Sequence, residues 1–212
     1  MTEFPIITYL GQSGFKLESS NSTLLIDPSN KASGDHDGDI MYCTHNHNDH
    51  IGGVDVFLER NASAILVCNE QTAAKFTKWG DRVKVVSDGE TFENGPWSFQ
   101  FTLLKHGIFK GIQNLATVIT IGAFSFAHSG DAVEFLNFPP IPVNVLAIPI
   151  SGGPTASPGN ALKMVAELQE PKPIVVPMHW LFRKPKGFCK NLQQQVPDVK
   201  CIVPVIGEPL QL

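Results

Sequence analysis

Charge is scarce in this 212-residue chain: only 17% of residues are Asp, Glu, Lys or Arg. Sixteen basic against twenty acidic residues leave a net charge of −4, so no basic surplus advertises a nucleic-acid partner. No apolar run approaches the roughly 18 residues of a membrane span, so no membrane partner is expected. Met1-Thr2-Glu3-Phe4-Pro5 shows no basic segment leading into an apolar one, and no secretory leader is expected. Four cysteines are too few for a disulfide scaffold. Cys43 and Cys68 fall in apolar, strand-like runs that suit buried thiols, and a cytoplasmic location follows as the expectation. No break in composition marks a second domain, so residues 1–212 read as one.

Apolar residues are plentiful at 42%, enough for a sizeable core without metal or disulfide staples. The 18 glycines and 16 prolines are spread along the chain, which suggests many turns between short elements. Strands are predicted at 6–10, 14–18, 23–26, 40–43, 64–68, 83–86, 99–104, 117–121, 125–127, 143–149, 174–177 and 200–203. Runs such as Asn144-Val145-Leu146-Ala147-Ile148 are apolar without alternation, as in strands buried on both faces. Helices are predicted at 54–60, 70–79 and 160–169, the last with Pro158 just ahead of it. The two halves of the chain repeat this order loosely, which points to two packed sheets with helices outside.

Three of the seven histidines fall within six residues, His45-Asn46-His47-Asn48-Asp49-His50, between a predicted strand and Gly52-Gly53. A strand-to-helix loop can aim His45 and His47 at one point and Asp49 and His50 at a neighbouring one. Imidazole with carboxylate suits Zn²⁺, Mn²⁺ or Fe rather than Ca²⁺ or Mg²⁺. His106, Asp131 and His179 each lie just past the C-terminal end of a predicted strand, where open α/β sheets present functional groups. Seven ligand-type residues in one kind of position predict a shared metal site.

Thr44-His45-Asn46-His47-Asn48-Asp49-His50 resembles the H-x-H-x-D-H signature of the metallo-β-lactamase superfamily. His106, Asp131 and His179 match its later single-residue motifs in order and approximate spacing. Tyr9-Leu10-Gly11-Gln12-Ser13-Gly14 and Leu25-Ile26-Asp27-Pro28 are similar to a branch of small metal-dependent hydrolases that includes the L-ascorbate-6-phosphate lactonases. The resemblance implies an α/β fold, a four-layer αββα sandwich of two mixed sheets with helices on the outer faces. It implies two divalent ions, zinc first, with His45, His47 and His106 on one, Asp49, His50 and His179 on the other, and Asp131 bridging. A metal-bound hydroxide at this dinuclear site, oriented by the catalytic Asp49, would cleave an ester, lactone or phosphoester of a small molecule. Many relatives carry His at the position of Gln12, so a contact behind the ligands is expected to differ.

The rival readings are a nuclease acting on RNA or DNA, a di-iron redox protein, and a non-catalytic metal-binding protein. The acidic balance argues against the first, the presence of His47 where redox relatives carry Glu against the second, and the full ligand set against the third. Asp27 is expected behind the ligands, His128 outside the site, and the loop around His36 as solvated. Arg183, Lys184, Lys186 and Lys190 follow His179 closely, which raises a solvated face against a rim that receives an anionic substrate. A homo-oligomer is compatible with all of this.

Overall fold

The computed structural model describes residues 4–29, 36–108, 110–180 and 182–212. Strands β1 (Ile6–Gly11), β2 (Gly14–Glu18), β3 (Thr23–Ile26), β4 (Ile40–Cys43), β5 (Ile65–Cys68) and β6 (Val83–Val85) form one sheet in that order. The other sheet runs from its opposite edge as β12 (Ile174–Met178), β11 (Val145–Pro149), β10 (Phe124–His128), β9 (Asn114–Ile121), β8 (Trp97–Leu104) and β7 (Thr91–Asn94). Both sheets are mixed: β1, β2 and β3 pair antiparallel and β3 to β6 parallel, while β7 to β10 pair antiparallel and β10 to β12 parallel.

Strand alternation makes three cores out of two sheets. Ile40 and Tyr42 of β4 point to a central core shared with Val145 and Ala147 of β11, between the sheets. Met41 and Cys43 point outward, under Val54, Phe57 and Leu58 of α2 (Val54–Arg60). Leu146 and Ile148 point outward on the other side, under α4 (Pro158–Ala166) and α5 (Pro185–Gln195). Both faces of the central strands are therefore covered, which is why their sequences are unbroken apolar runs. Helix, sheet, sheet and helix layers give the expected αββα sandwich.

The differences from expectation have local causes. The stretch 70–79 is not one helix. Asn69 caps α3 (Glu70–Ala73) by accepting from the Thr72 amide, and a 3-10 helix (Thr77–Arg82) follows, kinked at Gly80 with φ 52°. Residues 200–203 do not form a strand; they touch the edge of β12 through a single bridge, Val175 to Cys201. β7 escapes sequence detection because it is an edge strand whose only half-buried side chain is Phe92. α1 (Asn48–Ile51) and α5 were also unforeseen, α1 because it is one turn long and α5 because its lysines hide an apolar stripe. In α5, Phe188, Cys189 and Leu192 are buried and Pro185 starts the helix. Cys189 is joined to Cys201 by a disulfide, while Cys43 and Cys68 are free and buried. Burial pushes the Cys68 thiol up to about 12, so it has little thiolate character. Among the described residues no helix is long and apolar enough to cross a membrane.

Candidate metal centre

All seven expected residues converge at one edge of the sandwich. The chain leaves β4 through Thr44 and His45, and His47 stands at the N-cap of α1, which carries Asp49 and His50. His106 lies beyond β8, Asp131 beyond β10 and His179 beyond β12. Close backbone approaches hold these turns. A Cβ on Gly107 would lie 2.2 Å from the Pro154 carbonyl oxygen, and one on Gly130 would lie 2.1 Å from Asn114 Oδ1. Asn114 Oδ1 accepts from the Asp131 amide at 3.0 Å, so the glycine lets Asn114 hold the Asp131 backbone directly.

The side chains form two adjoining clusters, one of His45, His47, His106 and Asp131, the other of Asp49, His50 and His179, with the donor atoms of each within 4.8 Å of one another. Asp131, of the first cluster, also reaches histidines of the second. Its Oδ2 lies 3.6 Å from His106 Nε2, 3.8 Å from His45 Nε2 and 3.5 Å from His179 Nε2, and its Oδ1 lies 3.4 Å from His50 Nε2. Asp49 Oδ2 lies 3.2 Å from His179 Nε2 and 3.8 Å from His50 Nε2. His45, His50, His106, Asp131 and His179 are buried, while His47 and Asp49 are half-buried and open to solvent.

Electrostatics inside the cluster are strained toward a cation. Burial, with the neighbouring His50 second, drives the His45 proton affinity well below the usual imidazole range. Burial also works against charge on His50, yet Asp131 and Asp27 on either side hold it well above that range. Asp131 is held well below the carboxylate range despite its burial, by His50 and His179 in particular. A cation binding here would compete with a proton for His50 Nε2.

The donor set fits a divalent transition metal. Asp27 Oδ2 lies 2.7 Å from His50 Nδ1, the carboxylate–histidine pairing that orients a ligating imidazole. That leaves His50 Nε2 and Asp131 Oδ1 facing each other in the cluster at 3.4 Å, buried and without a well-formed hydrogen bond. Buried polar atoms in that state are costly unless an ion or water satisfies them. Thr44 Oγ1 lies 3.0 Å from His45 Nδ1 and orients that ring from behind.

The remaining expectations sort cleanly. Asp27 stands behind the ligands, accepting from the Thr44 amide at 2.8 Å and from its hydroxyl at 2.7 Å. His128 is outside both clusters: its Nε2 lies 2.9 Å from the Ser13 carbonyl oxygen and its Nδ1 accepts from the Gly130 amide. His36 is buried against Gly53 rather than solvated, and Gly34 and Asp35 of its loop lie outside the described residues. In the basic run, Leu181 is likewise outside them. Arg183 Nε donates to the Ser151 carbonyl oxygen at 3.2 Å, and Lys184, Lys186 and Lys190 are exposed at the start and along the outside of α5. Sequence reasoning missed Lys75. Its Nζ donates to the Asn46 carbonyl oxygen at 2.6 Å, and it lines a cleft of about 420 Å³ with Asn46, His47, Asn48 and Asp49. Nothing in the local sequence around Lys75 marks it, because the turn after α3 brings it to the site from outside the histidine motif.

Comparison with known proteins agrees with this geometry. The family model described as "Beta-lactamase superfamily domain" matches residues 6–179. A "UPF0173 metal-dependent hydrolase" of Methanosarcina mazei is 32% identical, with 97% of this chain and 98% of the relative covered. Among solved structures, the metallo hydrolase Igni18 of Ignicoccus hospitalis shares the fold with a TM-score of 0.83 at 22% identity, covering 97% of each chain. CmlA, a diiron β-hydroxylase from Streptomyces venezuelae, shares it with a TM-score of 0.73 at 14% identity, covering all of this chain and 55% of that one.

Proposed function

Because this chain belongs to the β-lactamase superfamily, and to a metal-dependent hydrolase line within it, we propose that it hydrolyses an ester, lactone or phosphoester of a small anionic molecule at a two-metal centre. The observation that carries this reading is Asp131, a buried carboxylate within 4 Å of histidines from both clusters. His45, His47 and His106 would hold one ion, Asp49, His50 and His179 the other, and Asp131 both. Zinc is the first choice, with manganese or iron as alternatives. Divalent ions bound there would supply Lewis acidity, polarising the scissile group and acidifying water near neutral pH.

The chain's own residues supply orientation and selection. Asp49 is the half-exposed carboxylate at the mouth, and burial there is outweighed by its hydrogen bond with His179, the charge of His50 and the hydrogen bond from Gln12. Its proton affinity therefore sits below the usual carboxylate range, which makes it a weak base. Asp49 would orient the attacking water rather than store its proton. The cleft of about 420 Å³ suits a small molecule. Lys75 on its wall supplies a positive charge where an anionic substituent would rest.

Two measurements test this. Protein purified without chelator should carry about two metal ions per chain, lose hydrolysis of a lactone, thioester and phosphodiester panel after chelation, and regain it with Zn²⁺ or Mn²⁺. Protein that neither carries metal nor takes it up would refute the reading. Lys75→Ala should raise KM for carboxylate- or phosphate-bearing substrates about two- to fivefold, as expected for an exposed ion pair, with metal content unchanged. Arg183→Ala and Lys186→Ala test the basic run in the same way. If all three variants match wild type on anionic and neutral substrates at low salt, the anionic-substrate assignment is wrong.

A further inference from the structure

Gln12, Asp49 and His179 form a small triangle between three distant parts of the chain. Gln12 Nε2 donates to Asp49 Oδ2 at 3.0 Å and lies 3.0 Å from His179 Nε2. Those two ligand atoms are 3.2 Å apart. Gln12 belongs to the turn between β1 and β2, Asp49 to α1 and His179 to the end of β12. The Gln12 main chain takes part as well: its carbonyl oxygen accepts from the His179 amide at 2.7 Å and from the Tyr9 hydroxyl at 2.8 Å. Both residues sit in the left-handed region, Gln12 at φ 54° and His179 at φ 48°.

A non-glycine residue in that region costs on the order of 1 kcal/mol and persists only where its surroundings over-determine it. Two of them, hydrogen-bonded to each other beside the candidate ligands, mark a joint that the fold holds against local preference. His50 and His45 have supports of their own, from Asp27 and from Thr44. Asp49 sits on a single helical turn whose N-cap makes no side-chain hydrogen bond, so the helix itself does little to fix it.

We propose that Gln12 is a positioning residue that ties Asp49, through its side-chain amide, to His179, through its main-chain carbonyl, at the separation a second cation needs. The affinity of the second ion then depends on Gln12 and that of the first does not. This rests on the two-metal reading above. An unbraced pair would have to be gathered at the moment of binding, and that ordering cost falls on the second ion alone.

The test is a stepwise titration of metal-free protein with Co²⁺, followed by calorimetry and visible absorption, for wild type, Gln12→Leu and Gln12→Asn. Leucine keeps the bulk and removes the amide. Asparagine tolerates the left-handed backbone but is one methylene too short to reach Asp49, so it guards against misfolding of the leucine variant. The first binding step should stay within about twofold of wild type, and the second should weaken about 10- to 100-fold, the usual effect of losing a group that orients a ligand. The absorption bands that grow with the second equivalent should change, and those of the first should not. A second step as tight as wild type in both variants, with unchanged bands, overturns the role of Gln12 and leaves the two-metal reading intact. Equal weakening of both steps overturns it too, since Gln12 would then support the scaffold as a whole. Wild type that takes up no cobalt overturns the two-metal reading and this inference together.

Discussion

Asp131→Ala is expected to abolish hydrolysis by at least about a thousandfold, equivalent to about 4 kcal/mol of barrier, and to lower the metal content by at least one ion per chain. The expectation follows from position. Among the described residues Asp131 is the one carboxylate within reach of His45, His106, His50 and His179 at once, and it is 1% exposed. Removing it leaves the first cluster with imidazoles alone and takes from His50 the first of the two charges that hold its proton. Opposing cation charge in a dry site is where a carboxylate contributes most. The fold should survive, because Asn114 holds the Asp131 main chain and not its side chain. Elemental analysis and circular dichroism, with Asp131→Asn as the isosteric comparison, separate the effects. Full metal content together with full turnover in Asp131→Ala would rule out a bridging carboxylate.

Asp27→Ala should instead unfold the protein early. Asp27 is fully buried, and its two oxygens serve the Thr44 amide, the Thr44 hydroxyl and His50 Nδ1, all within 2.8 Å. Deleting it strands those donors in the interior, at a cost of about 3–5 kcal/mol, which for a chain of this size lowers Tm by roughly 6–20 °C. Its backbone adds to the loss, since Asp27 sits at φ 44°, where aspartate and asparagine are far better tolerated than alanine. Asp27→Asn keeps the backbone and should fall between the two. Metal affinity should drop as well, because His50 loses the group that aims its ring, but the thermal shift comes first. A Tm within about 2 °C of wild type in metal-free Asp27→Ala would show that the donors find other partners.

The two aspartates differ in how visible they are along the chain. Asp131 could be read as a ligand because it follows a strand end, and the same rule found His106 and His179. His45, His47, Asp49 and His50 are legible through their spacing alone, since a strand entering a helical turn leaves side chains few directions to point. Most strands were legible too: β2, β3 and β4 match their predicted bounds residue for residue, β4 as the unbroken apolar run of a strand covered on both faces and β2 with Lys16 and Glu18 alternating with Phe15 and Leu17. β7 was not legible, because an exposed edge strand needs no apolar pattern. The helix of α5 was not legible within the basic run because its stripe is Phe188, Cys189 and Leu192 set among lysines.

Local periodicity and spacing pointed to two packed sheets with helices outside and to seven ligand-type residues, while the four-layer fold and the hydrolytic chemistry followed from the family resemblance. The sequence placed Asp27 and Gln12 behind the ligands, and only the tertiary structure decided which ligand each surrounding group touches. Asp27 on His50, Asn114 on Asp131, Lys75 at the cleft and Gln12 between Asp49 and His179 are pairings across 17 to 167 positions. No rule of sequence spacing reaches that far; closing the two sheets against each other is what brings these side chains within hydrogen-bonding distance.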